Sequence, residues 1–213
     1  MYGRLTRFDN KSQGEDEQEA IRKFEQNVAR PSREVPGFRG LALMLNREEG
    51  KGITIAYWDD KASLDASAEQ MKQLRNQAVA DSAGSMKVTS VESGEVVSME
   101  RDGDPRAGTF ARVNTLDGKP QQIDATIVAY NRDVVPLLRS LPGFRSVVMS
   151  VNRETGRIIV GSVWNTEADR KASEAKVAEV RRKTAATAGA PQAQVELFEI
   201  VYADIPVGAR TGR

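Results

Sequence analysis

The chain of 213 residues contains no cysteine and no histidine. The first absence excludes disulfides, zinc–thiolate sites, iron–sulfur clusters and thiol nucleophiles. The second removes the usual general base near neutral pH, the commonest transition-metal ligand and the usual proximal haem ligand. Charge of either sign in excess is also lacking: 31 basic against 30 acidic residues leave +1. No electrostatic footprint therefore calls for nucleic acid or an anionic membrane. Nowhere do 18 apolar residues follow one another, and the first residues carry no apolar stretch of signal-peptide length. The expectation is a cytoplasmic protein that binds neither nucleic acid nor membrane. No Walker or G-x-G-x-x-G sequence occurs, so nucleotide phosphate binding has no support. Asp102-Gly103-Asp104 lacks the remaining acidic positions of a calcium loop. The sequence thus names no cofactor and no metal.

What is present is a repeat. PGFRGLALMLNREEGKGITIAYWDDKA (36–62) returns without a gap as PGFRSVVMSVNRETGRIIVGSVWNTEA (142–168), identical at 11 of 27 positions. Such self-similarity is the signature of duplication. Each half reads as strand, amphipathic helix, two strands joined by a hairpin, helix and strand. In the first half these are 4–8, a helix from Glu15 that Pro31 and Pro36 end, 39–45, 53–58, a helix with Leu64, Ala68, Met71, Leu74 and Ala78 inward, and 86–97. The second half follows with 110–116, a helix carrying Ile123, Ile127, Tyr130, Val134 and Leu138 inward, 145–151, 157–164, a helix over 168–187, and 195–202. The order is βαββαβ, the ferredoxin-like plan. The fold class is α+β: two tandem ferredoxin-like repeats joined as an internal pseudo-dimer, with a repeat at 1–99, a linker at 100–108, a second repeat at 109–206 and a flexible tail at 207–213.

The recurring residues PGFR, NR-E-x-G, and a strand-end Trp followed by a polar pair resemble the antibiotic biosynthesis monooxygenase (ABM) family, in tandem form. The resemblance implies a dimeric α+β barrel with a pocket between sheet and helices. Relatives use that pocket for small aromatic, quinone-like or haem substrates, and the enzymes among them often oxidise phenols with dioxygen and no cofactor. The haem-degrading members use an Asn, a Trp and a His. Here no His exists, and Ala66-Ser67-Ala68 and Ala172-Ser173-Glu174 stand where the helical Trp would lie. The implied function is a cofactor-independent monooxygenase-like activity on a small aromatic or quinone-like molecule. The alternative is a non-catalytic barrel that binds a small apolar ligand or serves in assembly.

Candidate catalytic side chains are Tyr130, Tyr202 and Asn114, since a phenol can donate to or relay a proton from a bound phenolate. In the first half, Asn27 approximates the position of Tyr130 and Val96 that of Tyr202, so a site in the second half is expected. Candidate substrate contacts are Trp58, Trp164, Tyr57, Arg47 and Arg153. Strand alternation puts Trp58 on one face with Ala56 and Thr54, the less greasy face, and Tyr57 on the other with Ile55 and Ile53. That pattern suits either a close helix contact or a small cavity. Arg47 and Arg153 lie beside hairpin turns where Asn46 and Asn152 most simply serve the backbone. Arg39 and Arg145, after the PGF turn, are expected to pair with carboxylates of the opposite half.

Overall fold

The computed structural model describes residues 1–12 and 15–205, so the expected tail at 207–213 lies outside the described residues. In chain order the elements are β1 (Tyr2–Asn10), α1 (Glu15–Phe24), α2 (Arg30–Ser32), β2 (Phe38–Asn46), β3 (Lys51–Trp58), α3 (Lys61–Ala66), α4 (Ala68–Asp81) and β4 (Met86–Arg101). They continue with β5 (Thr109–Asp117), α5 (Ile123–Ala129), α6 (Val135–Arg139), β6 (Phe144–Asn152), β7 (Arg157–Trp164), α7 (Glu167–Ala188) and β8 (Gln194–Asp204). The eight strands are hydrogen-bonded in the order β1-β3-β2-β8-β5-β7-β6-β4, a closed barrel. This is the α+β architecture of two ferredoxin-like repeats.

Among the described residues the chain divides into two compact units, one of Met1–Ser93 with the end of β8 from Glu199 onward, the other of Gly94–Phe198. Two strands therefore change unit along their length. The end of β8 pairs with β2, with Leu43 opposite Tyr202, and the end of β4 pairs with β6, with Met149 opposite Ser98. Leu43 and Met149 are repeat equivalents, so Ser98 is the counterpart of Tyr202. The expected counterpart, Val96, matches Ile200 instead: both strands carry the same bulge, and Glu95 and Glu199 before it are already offset by 199 − 95 = 104 residues, two fewer than the repeat motif.

The PGF turn recurs because its backbone demands glycine. Gly143 has φ +72°, and a Cβ there would lie 2.2 Å from Asp169 Cγ, while Gly37 has φ +73° and a Cβ would lie 2.4 Å from Ser63 Oγ. The turn is thus held tightly against the first turn of the following helix. Asp60 caps α3 by accepting from Ser63 N at 2.8 Å, and Thr166 caps α7 by accepting from Asp169 N at 3.1 Å.

Pro31 does not end the first helix. A π-helical turn at Glu25–Ala29 precedes it, and Pro31 sits in the first turn of α2, where its missing N–H costs nothing. The second unit repeats the device, with a π-helical turn at Tyr130–Val134 ahead of Pro136. This alignment makes Glu25 the equivalent of Tyr130, in place of the expected Asn27. The second helix of the first half breaks at Ser67, which leaves Ala68 exposed, against the expected inward position.

Candidate functional site

The first unit holds a cavity of about 110 Å³ between its sheet and its helices. Strand alternation builds one wall: Arg4, Thr6 and Phe8 from β1, Leu41, Leu43 and Leu45 from β2, and Thr54, Ala56 and Trp58 from β3. The helical wall is Ala20, Ile21 and Phe24 of α1, Val28 of the π-helical turn, and Met71, Arg75 and Ala78 of α4. The face expected to be less greasy is thus the cavity face. A cavity of roughly 150 Å³ accommodates benzene, so this one has room for no more than a single small ring.

Trp58 is fully buried, with Phe38 edge-on at 5.8 Å and the Arg4 guanidinium 5.0 Å from its ring centroid. Its equivalent Trp164 has Phe144 edge-on at 5.9 Å and the Arg112 guanidinium at 5.9 Å. Both tryptophans are therefore packing elements, and Trp58 also lines the cavity. The strand pairings confirm the equivalence, since Arg4 faces Ala56 in β3 and Arg112 faces Ser162 in β7. Both arginines were missed by sequence reasoning. The signal was an arginine recurring in β1 and β5 on the same side as the strand-end Trp.

The repeats differ around these arginines. Arg112 is 2% exposed, donates to Ser173 Oγ at 3.0 Å and to the Arg170 carbonyl at 2.7 Å, and pairs with Glu174 at 2.9 Å. Glu174 also binds Arg181. Trp164 Nε1–H reaches Ser162 Oγ at 3.3 Å. In the first unit Arg4, 7% exposed, keeps only the equivalent carbonyl contact, to Leu64 O at 2.9 Å. The residues matching Ser162, Glu174 and Arg181 are Ala56, Ala68 and Arg75. Arg4 Nη1 and Trp58 Nε1 are buried without a protein partner. Burial, and then the nearby Arg75, lower the Arg4 pKa, and burial lowers that of Arg75.

The other candidates lie elsewhere. Tyr130 is buried in the second unit's core with Leu116, Met149 and Trp164, and its hydroxyl finds no protein partner. Burial pushes its phenol far above the ordinary range. Asn114, the equivalent of Thr6, is buried with Oδ1 unpaired. Tyr202 belongs to the first unit, edge-on to the cavity residue Phe24 at 5.9 Å and 3.5 Å from Arg33 Nη2, but it does not line the cavity. Burial, then Asp204, raise its pKa. The structure therefore does not assemble Tyr130, Tyr202 and Asn114 into one site. Tyr57 is buried on the opposite face of β3 from Trp58.

Arg47 grips Glu17 through Nε at 2.9 Å and Nη2 at 2.7 Å and also holds Glu199, and Arg153 joins Glu95 at 2.8 Å to Asp124 at 2.7 Å. Each ties its hairpin to a helix and a neighbouring strand. Hydrogen bonds to Glu17 raise the Arg47 pKa, and those to Asp124 and Glu95 raise that of Arg153. Asn46 Oδ1 accepts from Glu49 N at 3.0 Å, and Asn152 Oδ1 from Glu154 N at 3.0 Å, the expected turn role. Arg39 pairs with Asp59, and Arg145 donates to Asn165 Oδ1 at 2.6 Å. Their partners lie in their own half, because the PGF turn faces the end of its neighbouring strand. Among the described residues no cluster of His, Cys, Asp and Glu could hold a metal ion, and no helix is long and apolar enough to cross a membrane.

Residues 4–75 match the family model described as antibiotic biosynthesis monooxygenase. An uncharacterised protein of Mycobacterium tuberculosis is 27% identical over 175 residues, 82% of this chain and 73% of its own length. An anthrone oxidase-like protein superposes with a TM-score of 0.65 at 13% identity, covering 100% of this chain and 96% of its own. A ferredoxin-fold protein of Listeria monocytogenes related to antibiotic biosynthesis monooxygenases gives a TM-score of 0.53 at 9% identity, with 93% and 94% covered. These likenesses establish a shared monooxygenase-like fold.

Proposed function

We propose that the protein, whose residues 4–75 match the antibiotic biosynthesis monooxygenase model, is a cofactor-independent oxygenase of a small aromatic or quinone-like molecule, working in the first unit's cavity. The observation that carries this reading is the cavity itself, about 110 Å³ and walled by Phe8, Phe24 and Trp58. Flat apolar walls with a few polar groups are what a small aromatic ligand requires. The anthrone oxidase-like neighbour supports the same substrate class. The chemistry balances without a cofactor: a phenol whose para C–H becomes a quinone carbonyl takes one oxygen atom from dioxygen, and the other leaves as water. The substrate supplies all the electrons, and its ionised phenol is the species that reacts. The buried cation of Arg4 favours that ionised form.

A second reading, binding without turnover, is favoured by one observation. The cavity acids are engaged, Glu17 by Arg47 and Asp81 by Asn27 and Gln77, so no free general base lines it. Oxygen uptake with 2,6-dimethylphenol, followed alongside quinone absorbance, separates the two. The oxygenase reading expects uptake at one dioxygen per phenol, reduced at least tenfold in Ala20→Phe, which fills the cavity. Saturable binding of the phenol with no uptake supports the second reading and overturns the first.

A further inference from the structure

Compared position by position, the two repeats show what the first unit has lost. In the second unit the groups around the strand-end Trp have side-chain acceptors: Trp164 has Ser162, and Arg112, although its Nε stays unpaired, has Ser173 and the carboxylate of Glu174, which Arg181 shares. In the first unit Ala56 and Ala68 replace the serine and the carboxylate, while both arginines, Arg4 and Arg75, remain. Both line the cavity. No ion pair joins either one to a carboxylate among the described residues, and the nearby Asp65 is held by Lys61 at 2.6 Å. A buried cation without a counter-ion, with Arg4 Nη1 and the Trp58 indole N–H unpaired, is costly, and an anion that supplies an acceptor recovers part of that cost.

We propose that the first unit's cavity binds an aromatic carboxylate, whose anionic group occupies the place that Glu174 fills in the second unit. The carboxylate accepts from Arg4 Nη1, lies in the field of Arg75, and presents its ring to Phe8, Phe24 and the Trp58 face. Arg4 and Arg75 thereby select for charge, and the apolar walls select for the ring. The burial-lowered pKa values of both arginines agree with cations held without a counter-ion. This rests on the reading of the cavity as a small-aromatic site and adds that its ligand is an acid.

The chain has two tryptophans, so its proton–nitrogen spectrum contains two indole signals, and that of Trp58 reports on the cavity. Titration with 2-hydroxybenzoate and with its neutral amide, 2-hydroxybenzamide, separates charge from shape. The expected result is a shift of the Trp58 signal by both, with the carboxylate binding at least tenfold more tightly. Ala68→Glu restores the missing carboxylate and is expected to weaken 2-hydroxybenzoate at least tenfold while changing the amide less than twofold. Arg75→Met, which removes a cation without a counter-ion, is expected to act in the same direction. Equal affinity for the two probes, or unchanged 2-hydroxybenzoate affinity in both variants, overturns the proposal and leaves the aromatic site standing. If neither probe moves the Trp58 signal, the aromatic site falls too.

Discussion

At the scale of single residues, the side chains with the most chemical promise and those with the most exposed chemistry are different ones. A tyrosine on the inward stripe of a helix satisfies every criterion that sequence can apply to a proton relay. Tyr130 fails on criteria only packing supplies, because its hydroxyl is sealed in the core and unpaired. Removing an unpaired buried hydroxyl relieves a desolvation cost of about 1–3 kcal/mol and gives up little packing. Tyr130→Phe is therefore expected to leave stability unchanged or raise it by about 1 kcal/mol, measured by urea denaturation. A loss of 2 kcal/mol or more would mean that the hydroxyl is bonded after all. Arg4 is the reverse case. An arginine in a short strand reads as a surface charge, and its importance emerges only where Leu64, Trp58 and the cavity converge on it.

At the scale of elements, the PGF turn shows how a short motif carries a tertiary constraint. Its glycine adopts a left-handed backbone, and the next helix leaves no room for a Cβ. Gly143→Ala combines the left-handed penalty of about 1–2 kcal/mol with a clash against Asp169, and thermal unfolding should show a loss of at least 2 kcal/mol. A smaller loss would mean that the helix start yields. Helix α7 carries the second unit's internal counter-ion. Burial opposes ionisation of Glu174, yet the hydrogen bond from Arg181 and the charge of Arg112 bring its pKa below the ordinary value. A carboxylate with a depressed folded pKa contributes stability that is complete above its unfolded pKa and is lost as pH falls through the folded value. Glu174→Gln should therefore lower stability at pH 7 and make little difference below about pH 3, where the native side chain is protonated as well. A gap between variant and native protein that stays constant from pH 7 to pH 3 would refute this.

At the scale of the whole molecule, the duplication separates two fates of one design. Both units keep the turn, the hairpin staple of Arg47 or Arg153, the strand-end Trp and the arginine above it. The second unit gives its arginine a carboxylate and its Trp a serine acceptor, and packs Val147, Met149, Val151 and Tyr130 into its core. The first leaves a cavity and two cations without counter-ions. Chemistry is expected from sequence where the halves differ, in the second half; the cavity proposed above lies in the first, beside alanines at 56 and 68. An alanine carries no signal in a search for functional side chains. Its meaning appears only beside the serine or glutamate that holds the same place in the other copy.

The sequence by itself determined the βαββαβ order, the repeat and its offset, the turn and hairpin chemistry, the exclusion of cysteine and histidine chemistry, and the face of β3 that carries Trp58. These follow from local backbone preference, strand alternation and composition, all of which act over a few residues. Only the tertiary structure decided that β4 and β8 each run from one unit into the other, that Pro31 is accommodated by a π-helical turn, and that Arg4 is buried beneath helices some sixty residues away. Those outcomes depend on how side chains distant in sequence share volume and hydrogen-bond partners, which no local pattern encodes.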